Sequence, residues 1–246
     1  MEVSIHPTPG EASAAAADLL AAWLEDPAVR TVMVAGGASP LDLYRRVGER
    51  GLELGHLEVF ALDEYVGVPP DDPRTCGNLL RAAVADAWRI PPERFHAVSP
   101  VASEALASVR RHEALIAAAG GLDVVVLGLG RNGHLGFNEP GSAADSSGRL
   151  VELAPVSVEA NREWFGGRYA PEVGVTVGLR TVLSARRALL VAFGPHKADA
   201  VRAMVEGPVG EACPASLLRG HPDVHAFLDE AAAARLTGTA GRRGDG

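Results

Sequence analysis

A histidine and a carboxylate five residues apart, His134 and Glu139, stand inside the glycine-rich stretch Gly128 to Gly141, with Asn132 two positions before the histidine. In a loop bent by its glycines the carboxylate can reach the imidazole, fix its tautomer and raise its basicity, an arrangement suited to moving a proton to or from a sugar oxygen. The competing reading is a surface or bracing histidine. Metal ligation is the weaker functional alternative, since neither HxH nor HExxH spacing occurs. A second pair of carboxylates, Asp63 and Glu64, ends the apolar run Leu57 to Leu62. Neighbouring side chains on extended backbone point to opposite faces, so only one can face a cleft. A carboxylate there can take a carbon-bound proton beside a carbonyl, provided burial lifts its pKa toward neutrality; otherwise it is a capping or loop-bracing residue.

Anion binding has its own candidates. Gly36-Gly37-Ala38-Ser39 offers successive backbone N–H groups and a hydroxyl just ahead of a helix, which suits a phosphate dianion; a tight turn that binds nothing is the alternative. The segment lacks the GK[ST] ending of a nucleoside triphosphate loop. Lys197 is the one lysine among 23 basic side chains, the other 22 being arginine. A position that keeps a compact ammonium on a flexible stem fits phosphate binding, against chance retention. Arg162 is a second candidate cation, with a solvated helix face as its competing reading.

These groups need a scaffold. Thr31 to Ala35, Leu57 to Leu62, Val124 to Leu127, Val173 to Val177, Ala188 to Phe193 and Val224 to Leu228 read as strands. Glu11 to Leu24, Pro40 to Val47, Asn78 to Trp88, Ser103 to Ala119 and Lys197 to Val205 read as helices. The alternation predicts an α/β fold: a single domain with a Rossmann-like, mostly parallel sheet covered by helices on both faces. Loops at the carboxyl ends of parallel strands are where such sheets bind ligands, and the glycine loop, Asp63 and Gly36-Gly37 all follow strands. Gly128-x-Gly130-x-x-Gly133 formally satisfies a dinucleotide fingerprint, with Glu152 about twenty residues on. Gly136, Pro140 and Gly141 forbid the helix that would have to open there, so a dinucleotide site is not expected.

Composition narrows the class. At 246 residues and 47% hydrophobic, the chain suffices for one core of ordinary size and would leave two domains cramped. A formal net charge of −8 argues against nucleic acid as partner. Cys76 and Cys213 lack CxxC spacing, which suggests reduced thiols, and no run approaches membrane-spanning length; the start of the chain has no secretion signal pattern, so the cytoplasm is the expected compartment, with no membrane contact. Residues 1–236 are expected to form the domain and 237–246 a flexible C-terminal tail.

Val34-Ala35-Gly36-Gly37-Ala38-Ser39-Pro40, Leu62-Asp63-Glu64-Tyr65-Val66-Gly67 and Gly133-His134-Leu135-Gly136-Phe137-Asn138-Glu139-Pro140 follow one another in an order that resembles the glucosamine-6-phosphate deaminase and 6-phosphogluconolactonase superfamily. Val175-Thr176-Val177-Gly178 and Gly194-Pro195-His196-Lys197 match later signatures, and the FNEP residues are similar to the amino-sugar deaminase branch rather than to the lactonases. The resemblance implies a reaction without cofactor or metal on a small-molecule sugar phosphate: ring opening, isomerisation to a ketose imine, and hydrolysis to ketose 6-phosphate and ammonia. It implies His134, supported by Glu139 and Asn132, as the ring-opening group and Asp63 as the carrier of a proton between C2 and C1. Gly36, Gly37, Ser39, Arg162 and Lys197 would hold the phosphate. The sequence leaves the oligomeric state open, a homo-oligomer included.

The sequence departs from the pattern at Asn132, where typical glucosamine-6-phosphate deaminases carry aspartate. A neutral amide orients the ring but cannot stabilise an imidazolium by charge. The NGH form resembles the galactosamine-6-phosphate branch, so the C4 epimer is an alternative substrate. A 6-phosphogluconolactonase, or a sugar-phosphate-binding regulator with reduced catalysis, are the other readings. Val151 stands where allosteric members carry lysine, which implies no activation by N-acetylglucosamine 6-phosphate.

Overall fold

Thr8 closes a capping box with Glu11, and Pro9 occupies a position whose missing N–H costs a helix nothing; helix α1 therefore begins there and runs Pro9–Leu24. Its alanines and leucines pack under a seven-stranded sheet. The computed structural model describes residues 1–238. In chain order the strands are β1 (Glu2–His6), β2 (Thr31–Val34), β3 (Glu58–Ala61), β4 (Asp63–Tyr65), β5 (Phe95–His96), β6 (Val124–Gly128), β7 (Arg149–Glu152), β8 (Val173–Thr176), β9 (Arg187–Ala192) and β10 (Val224–Asp229). The remaining helices are α2 (Leu41–Glu49), α3 (Cys76–Leu80), α4 (Ala102–Ala118), α5 (Pro155–Trp164), α6 (Leu179–Leu183), α7 (Ala198–Val205) and α8 (Glu230–Ala233).

The main sheet has the order β1-β10-β9-β6-β2-β3-β5, and every pairing in it is parallel. Alternation along the strands divides the core in two. Val32, Val34, Val124 and Val126 pack with α1 and α2 on one face, while Met33, Val125 and Leu127 join the cluster of α4 and α7 on the other. Each such side chain, taken fully out of water, contributes about 1.5–3 kcal/mol before entropy is subtracted. The α/β class and the two-sided parallel sheet are as the sequence predicts.

The chain leaves β2 toward β3 and reaches β9 on the opposite side of β6, so the adjacent β2 and β6 mark the point where strand order reverses. Their carboxyl ends open a crevice between diverging loops. One loop carries Gly36 to Ser39, the other Gly128 to His134.

Several elements differ from expectation. Val173–Thr176 is a strand, but it belongs to a separate three-stranded antiparallel sheet, β4-β8-β7, where Asp63 pairs with Thr176. The chain jogs at Leu62 from the large sheet to the small one, and this places Asp63 above the crevice. β1 and β7 extend beyond the expected strands; Val3 and Ile5 alternate with polar neighbours on an edge strand too weakly apolar to stand out. The expected helix Asn78 to Trp88 starts at Cys76 and continues as a π-helical turn over Arg81–Asp86. Cys76 and Cys213 are buried, free thiols. Of the expected tail, Thr237 and Gly238 donate backbone hydrogen bonds to Glu206; residues 239–246 lie outside the described residues.

Candidate active site

The glycine loop after β6 is fixed by its own contacts. Asn138 is fully buried and donates to the carbonyls of Leu135 (3.0 Å) and Val177 (2.9 Å), and its side-chain oxygen accepts from Arg149 (2.9 Å). The FNEP turn is thereby clamped to the small sheet. Phe137 seats its ring where a side chain on Gly174 would stand, 2.5 Å from an added Cβ. A Cβ on Gly130 would meet the His134 ring at 2.2 Å, so only glycine leaves the imidazole room to lie across the loop.

His134 Nδ1 lies 3.2 Å from Glu139 Oε2 and 3.3 Å from Ser157 Oγ, while its other ring nitrogen makes no hydrogen bond among the described residues. The imidazole is thus held from one side and lines the cavity with the other. Asn132 Nδ2 donates to the same Glu139 oxygen at 2.6 Å, and the Ala154 N–H donates to Glu139 Oε1 at 3.3 Å. Burial opposes charge on Glu139, yet the hydrogen bond and charge of His134, with Ser157 and Asn132, bring its carboxyl down to about 2. The Asn132 side chain therefore has a defined task. It neutralises nothing, but it supplies a donor to Glu139 where an aspartate would present a second anion.

Asp63 and Glu64 separate as extended geometry requires. Glu64 turns from the cavity and accepts the N–H groups of Tyr65 (2.7 Å), Cys76 (2.9 Å) and Gly77 (2.7 Å). Asp63 lines the cavity and accepts no backbone N–H among the described residues. Burial pushes both carboxyls up to about 7; for Asp63 the charge of Glu64 adds to the rise and the Cys76 thiol draws it down, whereas amide donors draw Glu64 down. Both carboxyls thus sit near neutrality, but only Asp63 lines the cavity, so it is the member of the pair placed to exchange a proton with a bound molecule.

A cavity of about 210 Å³ joins these groups, with Gly36, Gly37 and Ser39 on one wall, His134 and Phe137 on another, and Ser157, Asn161 and Trp164 of α5 on a third. Lys197 lines it too, entering from the short 3₁₀ turn that follows β9, with its Nζ donating to the Leu129 carbonyl at 2.6 Å. Burial lowers the ammonium to about 8, and the charge of Arg131 adds to the drop. Of the described residues, Gly36, Gly37 and Ala38 donate their N–H groups to no backbone carbonyl, and Gly37 adopts a φ of +93°. Backbone donors, a hydroxyl and a cation thus line the same cavity as Asp63 and His134.

Eight of the nine residues singled out from sequence meet here. Gly36, Gly37, Ser39, Asp63, His134 and Lys197 line the cavity directly, and Asn132 and Glu139 stand behind the imidazole. Arg162 does not line it. Its guanidinium pairs with Glu159 one turn back along α5, and more than half of its side chain faces solvent. The guanidinium that does line the cavity is Arg131, inside the glycine loop itself. Ser157 and Cys76 also escaped sequence reasoning. Ser157 had one signal, its place in the first turn of a helix opened by Pro155, but nothing in the sequence tied that helix to His134. No group of three or more His, Cys, Asp or Glu side chains among the described residues is placed to hold a metal ion.

A family model described as glucosamine-6-phosphate isomerases/6-phosphogluconolactonase matches residues 7–226. A glucosamine-6-phosphate deaminase of Arthrobacter sp. is 40% identical over 241 residues, covering 96% of this chain and 93% of the relative. One from Rhodopirellula baltica is 38% identical with 96% of each chain covered. Among solved structures, a monomeric glucosamine-6-phosphate deaminase superposes with a TM-score of 0.90 at 33% identity, covering 95% of this chain and 99% of that one. The 6-phosphogluconolactonase of Trypanosoma cruzi shares the fold with a TM-score of 0.78 at 23% identity.

Proposed function

We propose a division of labour for the site of this chain, which belongs to the family of glucosamine-6-phosphate isomerases and 6-phosphogluconolactonases and within it is an amino-sugar-6-phosphate deaminase. The observation that carries the assignment is the pairing, in one cavity, of a buried carboxylate poised near neutrality with an imidazole whose free nitrogen faces the same space. The substrate phosphate sits at the end lined by Gly36, Gly37, Ser39 and Lys197. Its binding energy orients the reacting carbons.

With the sugar so held, His134 takes the proton of the C1 hydroxyl and delivers it to the ring oxygen as the C1–O bond opens. Glu139 keeps the ring in place and stabilises its cationic form, and Asn132 keeps Glu139 in place. Asp63 as carboxylate removes the proton from C2 and returns it to C1, while a proton passes from the amine nitrogen to the C1 oxygen, leaving a hydroxyl at C1 and an imine at C2. Water then adds to C2 and ammonia leaves, so that amino-sugar phosphate and water become ketose phosphate and ammonia. Lactone hydrolysis, the activity after which the more distant structural relatives are named, would need the imidazole but not Asp63. The environment of Asp63 therefore favours the deaminase chemistry.

No helix among the described residues is long and apolar enough to cross a membrane. We place the enzyme in the cytoplasm, which two free buried thiols support. The test is to supply glucosamine 6-phosphate and galactosamine 6-phosphate separately and measure ammonia with ketose phosphate. Stoichiometric release from one of them establishes the reading and the ratio of kcat/KM names the epimer; no release from either by folded protein refutes it.

A further inference from the structure

Arg131 is the one guanidinium that lines the cavity among the described residues, and it is already engaged. Its Nη2 meets Glu163 Oε2 at 2.5 Å and its Nη1 lies 3.4 Å from Oε1, a two-pronged pair between the glycine loop and the last turn of α5. Glu163 itself does not line the cavity and is more than half exposed. Lys197 stands close enough to feel the charge of Arg131, and no carboxylate among the described residues lies within ion-pairing distance of the lysine. Two cations thus line the cavity, with Lys197 at the end assigned above to phosphate, and only Arg131 is paired with a carboxylate.

We propose that Arg131 is the second phosphate-holding cation of this site and that Glu163 is a resident counter-anion which the substrate phosphate displaces. The inference rests on the assignment of this end of the cavity to phosphate. A guanidinium fork matches two oxygens of a phosphate as well as two of a carboxylate, so the exchange keeps the geometry and replaces a monoanion by a dianion lying between both cations. The displaced carboxylate returns to water, where it already has most of its surface; exposed pairs of this kind cost little to open. Specificity for a phosphorylated sugar then comes from competition: a neutral sugar leaves the Arg131–Glu163 pair closed and gains nothing from it. Arg162, one residue away on α5, takes no part.

Isothermal titration of the whole protein with inorganic phosphate tests this without turnover. Arg131→Gln is expected to weaken phosphate about tenfold or more, and Arg131→Lys, which keeps the charge but loses the fork, to fall between. Glu163→Gln, at an exposed position, is expected to tighten phosphate about three- to tenfold, and to have no effect once Arg131 is Gln. With the amino-sugar phosphate, Arg131→Gln should raise KM while largely sparing kcat. Phosphate affinity unchanged in Arg131→Gln, or unchanged or weaker in Glu163→Gln, overturns the proposal while leaving the phosphate end of the cavity in place. A wild-type protein that binds no phosphate overturns the assignment of that end, and this proposal with it.

Discussion

Asp63 and Glu139 are both buried carboxylates of one active site, and their surroundings push them in opposite directions. Asp63 sits buried on a short strand, with no backbone donor of its own among the described residues and the charge of Glu64 beside it; its carboxyl rises to about 7. Glu139 sits in a glycine loop where His134 and Asn132 donate to one oxygen and Ala154 to the other; its carboxyl falls to about 2. The contrast assigns the roles. A group that titrates near neutrality can carry a proton back and forth, whereas a permanent anion can only orient and stabilise what it touches.

The strongest way to break the comparison is to remove the titrating member. Asp63→Asn is expected to lower kcat by 10³-fold or more with KM little changed, measured as ammonia release. Next comes the anion. Glu139→Gln keeps the shape and loses the charge that steadies the imidazolium, for an expected loss of about 10²-fold in kcat/KM. Gly130→Ala should cost a comparable factor, because the added methyl displaces the His134 ring, and a steady-state assay with a melting curve will show whether fold and activity part company.

Stability sharpens the contrast. Asp63 titrates near 3.8 in an ordinary setting and near 7 in the folded chain, so the native state binds the extra proton between those values and loses stability as pH rises through that window. Asp63→Asn should therefore stabilise the protein at pH 8 by up to about 4 kcal/mol and far less at pH 4. Glu139 has the opposite sign: its contribution is present above about pH 4.5 and fades as pH falls toward 2, and Glu139→Gln abolishes it. Denaturant midpoints at two pH values measure both. Asn132→Asp sets a second anion beside Glu139 and should shift the essential acid's apparent pKa upward; an unchanged pH profile of kcat contradicts the account of Asn132. The smallest effect belongs to Arg162→Gln, expected to alter KM less than about twofold, as befits an exposed pair with Glu159.

How far the sequence revealed this site depended on the range of the interactions involved. Val124 to Leu127 is a buried strand by composition, and the loop after it shows its glycines, histidine and carboxylate without help from the rest of the chain. The alternation rule even separated Asp63 from Glu64. What stayed hidden was nonlocal. The small sheet is made of strands three and four residues long, the first of which lies more than 80 residues before the other two, and Arg149–Glu152 is too short for its alternation to register. Arg162 and Arg131 are equally basic in sequence; only the orientation of α5 turns one to solvent and leaves the other at the cavity. Ser157 reaches His134 across 23 residues by the same docking of α5.

The central claim is that environment alone makes Asp63 a proton carrier and Glu139 a fixed anion. Carboxyl carbon NMR titration of the selectively labelled protein, with Asp63→Asn and Glu139→Gln to assign the two signals, measures it directly. The account predicts an Asp63 signal that titrates near pH 7 and a Glu139 signal still ionised at pH 4; an Asp63 signal that titrates near pH 4 alongside ordinary surface carboxylates would contradict it.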